Sequence, residues 1–181
     1  MKIACLGWVS LIWNPGSLPI QRQWFHDGPM VKVEFTRKSS DGRITLALTP
    51  DVTSVRSLWA VMDSEEMEIA KESLRAREKV NYKKYPNGIG TWKIGEPNPE
   101  MISGLAEWVA SKSIGGVIWT ALSPEFDDIK NIPSEEQIVE YLQSRTGRER
   151  ESAKEYVERA PEQIDTSYRR RIEAMLGWVP K

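Results

Sequence analysis

Leu6-Gly7-Trp8-Val9-Ser10-Leu11-Ile12-Trp13 closes one kind of structure and opens another. Residues 2–6, Lys-Ile-Ala-Cys-Leu, read as a strand. The chain then runs abruptly into Gly7, Ser10, Asn14, Pro15 and Gly16. A strand that ends in a small-residue turn presents backbone N–H groups outside any ladder, and such groups bind a carboxylate or a developing oxyanion. The plainer reading of the same run is the ordinary end of a core strand. What weighs against it is a second feature further along, at Glu78.

Outward from this run, the first half of the chain reads as strands. Val31-Lys32-Val33-Glu34-Phe35 alternates apolar and polar, as a half-buried strand does. Ser39-Ser40-Asp41-Gly42 is a turn, and residues 43–48 return as the second arm of a hairpin. Residues 55–62 form an apolar run that suits a central strand, and residues 88–94 and 116–122 add two more. Helices are predicted over 65–79, capped by Asp63 or Ser64 with Glu66 completing a capping box, and from Pro99 to about residue 111 behind Asn98. A third opens at Pro133-Ser134 with Gln137 three residues on, and ends at Gly147. A fourth spans about 149–160, before Pro161. A fifth starts at Asp165 or Thr166 and stops at Gly177. Strands first, then strands mixed with helices, then helices argue for an α+β fold with an antiparallel or mixed sheet. Six candidate strands are enough to close a small barrel. A single domain is expected over 1–181, with 133–181 as its helical C-terminal part.

Composition excludes several function classes. With 25 Lys and Arg against 26 Asp and Glu, the net charge is −1, which gives no footprint for nucleic acid or an anionic membrane. The mean hydropathy of −0.48 and the lack of an apolar run of ~18 residues exclude a spanning helix. The first residues make a poor signal peptide. Cys5 is the single cysteine. It cannot form an internal disulfide, so a reducing cytoplasm is the expected location, and a buried core role is expected for its thiol. Eight tryptophans are spread along the chain. Core filling accounts for most of them, while Trp8 and Trp13 flank the opening turn and are placed to line a pocket.

The helix over 65–79 repays angular arithmetic. At ~100° per residue, Leu74 and Glu78 each fall within about 20° of Met67, and Ala70 within about 60°. Glu78 therefore projects from the apolar stripe, whereas Glu65, Glu66, Glu68 and Glu72 are the surface carboxylates of an acidic helix start. Burial and the C-terminal end of the helix dipole should both raise its pKa, which suits a general base or acid near neutral pH. The competing reading is a frayed last turn in which Glu78 pairs with Arg75, Arg77 or Lys79 at the surface.

Together, the Gly7-Trp8-Val9-Ser10-Leu11 run and Leu74-Arg75-Ala76-Arg77-Glu78 resemble two elements of the gamma-glutamylcyclotransferase family, especially its ChaC-like branch. The first is similar to the family's Gly-Tyr-Gly-Ser-Leu signature, the second to its Leu-x-x-Arg-Glu. More weakly, His26-Asp27-Gly28-Pro29 resembles an Asp-His-Arg-Gly-Thr-Pro region, and Asp165-Thr166-Ser167-Tyr168-Arg169 the Asn-x-x-Tyr-Leu that opens the family's last helix. The resemblance implies an enzyme that releases 5-oxoproline from a gamma-glutamyl amine or peptide. Glu78 would be the catalytic acid/base, and Gly7, Trp8, Val9, Ser10, Leu11 and Tyr168 would bind substrate. No metal or organic cofactor is needed. Val9 departs from the pattern. If the family's turn needs φ > 0 at that glycine, a β-branched residue makes the loop run differently here. After Glu78 the chain reads Lys79-Val80-Asn81-Tyr82 in place of Gly-Gly-Tyr, which bears on whether glutathione is the substrate.

Other constellations are thinner. His26 is the single histidine, so no Ser-His-Asp set exists without it, and a structural role is expected. One His and one Cys do not make a common zinc site. Neither a P-loop nor a Gly-x-Gly-x-x-Gly is present. Arg169-Arg170-Arg171 reads as a solvated helix face. The rival to the enzyme is a non-catalytic small-ligand or partner-binding domain on the same fold, using the mouth near Trp8 and Trp13.

Overall fold

In the computed structural model, which describes residues 1–127 and 131–181, the elements follow in order. They are β1 (Ile3–Gly7), α1 (Ser10–Trp13), β2 (Met30–Val31), β3 (Val33–Lys38), β4 (Ile44–Leu48), β5 (Val55–Arg56), β6 (Leu58–Val61), α2 (Met67–Glu78), β7 (Ile89–Lys93), β8 (Ile102–Ser103), α3 (Leu105–Lys112), β9 (Gly116–Thr120), α4 (Glu135–Ser144), α5 (Gly147–Glu158) and α6 (Ser167–Leu176). The fold is α+β. Its strands pair as three separate sheets, ordered β6-β1-β9-β7, β5-β2-β8 and β3-β4. A closed barrel is not among the pairings of the described residues. The chain divides into two compact units, residues 1–31 with 56–122, and residues 32–55 with 123–181.

The first unit is built around β1, which is buried from end to end. It pairs antiparallel with β6 and parallel with β9, and β9 pairs antiparallel with β7. A strand flanked on both edges and covered on both faces needs no polar alternation, and Ile-Ala-Cys-Leu has none. The pleat sends Ile3 and Cys5 to one face, where they meet Ala60, Met67, Ala70, Leu74 and Ile118. On the other face Trp59, opposite Leu6, stacks on Phe25 with ring centroids 4.6 Å apart and meets Trp108 of α3 edge-on at 5.2 Å. Asp27 accepts from the Trp59 indole at 2.9 Å and from Lys112, and those donors hold its carboxyl below the usual aspartate range.

Gly28 in this unit is required by a close approach. Its N–H donates to the Ser57 carbonyl at 3.1 Å. A Cβ there would lie 2.5 Å from the Ser57 Oγ and 2.6 Å from the same carbonyl oxygen. Backbone cannot swing aside as a side-chain tip does. Gly28→Ala is therefore expected to cost about 1–3 kcal/mol in urea unfolding, and an unchanged midpoint would count against this packing.

The second unit sets the β3–β4 hairpin beside α4, α5 and α6. The hairpin turn forms as its sequence predicts, with Gly42 at φ 80 and its N–H on the Ser39 carbonyl at 3.0 Å. Phe35 packs edge-on against Tyr156. Glu34, only 1% exposed, faces the start of α6. It accepts from the Thr166 hydroxyl at 2.5 Å, the Tyr168 N–H at 3.3 Å and the Phe35 N–H at 2.9 Å. Burial holds this carboxyl above the usual glutamate range, against the pull of those three donors. A carboxyl raised on folding lends stability that is full below its ordinary range and is lost as pH rises through the folded value. The urea midpoint of the wild type relative to Glu34→Gln should thus fall as pH is raised upward from about 4.5. A difference that grows over that interval would overturn the assignment.

The helix boundaries differ from the sequence reading in instructive places. Glu66, not Asp63, is the N-cap of α2 and has no side-chain cap bond, while the Ser64 hydroxyl accepts from the Glu66 N–H. The helix expected from Pro99 starts at Leu105, because residues 102–103 pair with β2 and Gly104 takes φ 66. Asn98 still caps it from a distance, its Oδ1 accepting from the Ala106 N–H at 2.9 Å. Gly147 begins α5 where it was expected only to end α4. The box at Ser134 and Gln137, the cap at Thr166 and the stop at Gly177 all form.

Candidate active site

Glu78 is the last residue of α2 and sits beyond Leu74 on the stripe that packs against β9 and β7 and shares its core with Ile3 and Cys5 of β1. Its side chain is 18% exposed. The last turn is closed: Lys79 takes φ 51, its N–H reaches the Ala76 carbonyl, and the Val80 N–H reaches Arg75 O at 3.1 Å. Arg75 donates back to Val80 O at 3.2 Å, and Val80 is buried. This is the geometry of a left-handed C-cap with its apolar contact. The helix end that carries Glu78 is fixed.

Arg77 joins Glu78 to the opening turn. Its Nη1 donates to Glu78 Oε1 at 2.7 Å, and its Nη2 donates to the Ser10 carbonyl at 3.3 Å and to the Asn14 carbonyl. The Arg77 side chain is 14% exposed. Cys5, buried in β1, completes the surroundings. Burial pushes its thiol up, the nearby Glu78 carboxylate pushes it further, and Arg77 acts against both. The thiol is therefore held protonated and is no nucleophile.

In the turn, α1 is a single helical turn, with Ile12 N–H on Val9 O at 2.9 Å and Asn14 N–H on Ser10 O at 2.8 Å. Trp8, Val9 and Leu11 are buried and Ser10 is half-buried. Val9 has φ −147, so this loop places no left-handed residue where the signature has its second glycine. Gly7 is small for another reason: a Cβ there would lie 2.7 Å from the Trp24 ring. Ser10 and Glu78 thus belong to one neighbourhood, bridged by Arg77. Tyr168 is built into the second unit, where its hydroxyl donates to the Pro133 carbonyl at 2.6 Å and its N–H serves Glu34.

Sequence reasoning gave Arg77 a place in the Leu-x-x-Arg-Glu resemblance and otherwise only that of a surface partner for Glu78, and gave Cys5 no part beyond core filling. The signal was there in two periodicities. Cys5 lies two residues before Gly7, on the same strand face, and the stripe carrying Glu78 covers that face.

Among solved structures, the chain is similar to a glutathione-specific gamma-glutamyl cyclotransferase from yeast. The identity is 15%, the TM-score 0.50, and the match covers 98% of this chain and 98% of that one. The architecture is thus the α+β fold of the gamma-glutamylcyclotransferases. No protein-family model matches the sequence, and no curated protein does. No described helix is long and apolar enough to cross a membrane.

Proposed function

We propose that the chain, as one gamma-glutamylcyclotransferase-like domain over 1–181, releases 5-oxoproline from a gamma-glutamyl amine or peptide, with glutathione the first substrate to try. The observation that carries this reading is the carboxylate of Glu78, on the inward stripe of α2 and tied through Arg77 to the Ser10 carbonyl of the opening turn.

The chemistry asks little of the protein. The substrate's α-amine attacks its own γ-carbonyl carbon through a five-membered ring. The new C–N bond forms, the amide C–N bond breaks, and the leaving group departs as an amine. Holding the folded conformer is worth ~7–11 kcal/mol in favourable cases. Glu78 takes a proton from the ammonium and returns it to the leaving nitrogen. The second proton, shed as the attacking amine becomes the lactam N–H, passes through solvent to the released amine, which ends as an ammonium. Backbone N–H groups of the 7–11 turn hold the substrate carboxylate or the oxyanion. The lone buried Cys5 suits a reducing cytoplasm.

A second reading rests on Val9. Its buried side chain stands where the signature has a glycine, which favours a non-catalytic small-ligand or partner-binding domain on the same fold. Offering the purified protein glutathione and a panel of gamma-glutamyl amines and peptides, with 5-oxoproline as readout, separates the two. Product supports the enzyme. No product across the panel supports the binding domain.

A further inference from the structure

We infer that Arg77 is a positioning residue for the reaction: its guanidinium ties the Glu78 carboxylate to the Ser10 and Asn14 carbonyls and so sets where the acid/base group stands relative to the 7–11 turn. The inference rests on the reading of Glu78 as general acid/base.

Neighbours one residue apart on a helix do not face each other, yet Arg77 and Glu78 meet at 2.7 Å. They meet because the guanidinium is also held from the far side, by two backbone carbonyls of the turn. A planar fork of donors can serve a carboxylate on one nitrogen and carbonyls on another in a single rigid geometry. An ammonium on a flexible stem cannot. A guanidinium offers N–H donors and no acceptor, so it orients the Glu78 carboxylate through donation alone. Arg75, two residues back, marks the contrast. It pairs with Glu72, which is exposed, and with the Val80 carbonyl.

The test compares the unaltered protein with Arg77→Ala and Arg77→Lys, using the gamma-glutamyl substrate that gives most product and near-UV circular dichroism to check folding. Arg77→Ala is expected to lose about 10²-fold in kcat, the scale of a small misplacement of a reacting group, with KM changed by less than about threefold. Millimolar guanidinium should restore at least about tenfold of that kcat, and the same concentration of sodium chloride should not. Arg77→Lys should fall in between. A merely structural role would lower the folded fraction and would show no guanidinium rescue. If Arg77→Ala does not fold, Arg77→Lys decides. Wild-type kcat in either folded variant, or rescue by neither guanidinium nor lysine, overturns the role of Arg77 while leaving the enzyme reading intact. No product from the unaltered protein overturns the enzyme reading and this role together.

Discussion

Glu78→Gln should lower kcat for 5-oxoproline release by about 10²–10⁴-fold, the usual worth of a positioned acid/base group, while leaving the fold in place. Glutamine matches glutamate in size, and its carbonyl oxygen can still accept from Arg77 Nη1, so the closed last turn of α2 has no reason to open. What disappears is the group that receives the ammonium proton. KM should change little, because in this mechanism the turn does the holding and Glu78 acts on the proton. Steady-state kinetics on the same gamma-glutamyl substrate, with a thermal melt alongside, decide the matter. Wild-type turnover by a well-folded Glu78→Gln would remove Glu78 from the chemistry.

The largest loss of stability is expected at Arg169, in the second unit. Its guanidinium is 1% exposed and donates to three carbonyls of one turn, Ala160 at 2.6 Å, Pro161 at 2.6 Å and Ile164 at 3.0 Å, while its Nε pairs with Glu173 at 3.1 Å. Leucine in its place would strand the Ala160 and Ile164 carbonyl oxygens in the interior and leave the Pro161 carbonyl with the Ile164 N–H alone. The expected cost is about 3–5 kcal/mol in urea unfolding, the range for breaking a buried charged network from one side. Arg169→Lys should recover only part, since one ammonium does not span three acceptors in a fixed fork. Trp178, 2% exposed and the one tryptophan of its unit, reports the transition by fluorescence. A loss below about 1 kcal/mol would mean that water takes over the carbonyls.

Arg169 also marks a limit of sequence reading. Within Arg169-Arg170-Arg171 it looked like one of three solvated charges, and Arg170 does pair at the surface, with Asp165. What buries its neighbour is the turn over 160–165 that folds back onto the helix start, and no periodicity within the helix announces that. Local signals did better. The capping residues Ser134 and Thr166, the stop at Gly177 and the hairpin turn at 39–42 act through bonds to near neighbours, so they were legible. The strand at residues 102–103 was not, nor were the breaks that split the 31–35 and 55–62 runs into separate strands, because those pairings exist only where the tertiary fold brings the segments together. At the candidate site, the inward placing of Glu78 followed from helix geometry alone. The bridge to Ser10 depends on which way a long arginine side chain turns, and that is decided by acceptors 63 and 67 positions away.

The division of the chain into 1–31 with 56–122, and 32–55 with 123–181, bears on any attempt to trim the gene. The polypeptide passes from one unit to the other three times, so no single stop codon or start codon yields either unit intact. Ending translation after Leu122 would remove α4, α5 and α6 but leave the 33–48 hairpin attached, with Phe35 and the Glu34 carboxylate deprived of their partners. Such a fragment carries Glu78, Arg77 and the opening turn complete, yet should be recovered in inclusion bodies. Excising residues 32–55 as well, with a short glycine linker in their place, is the route to a clean first unit.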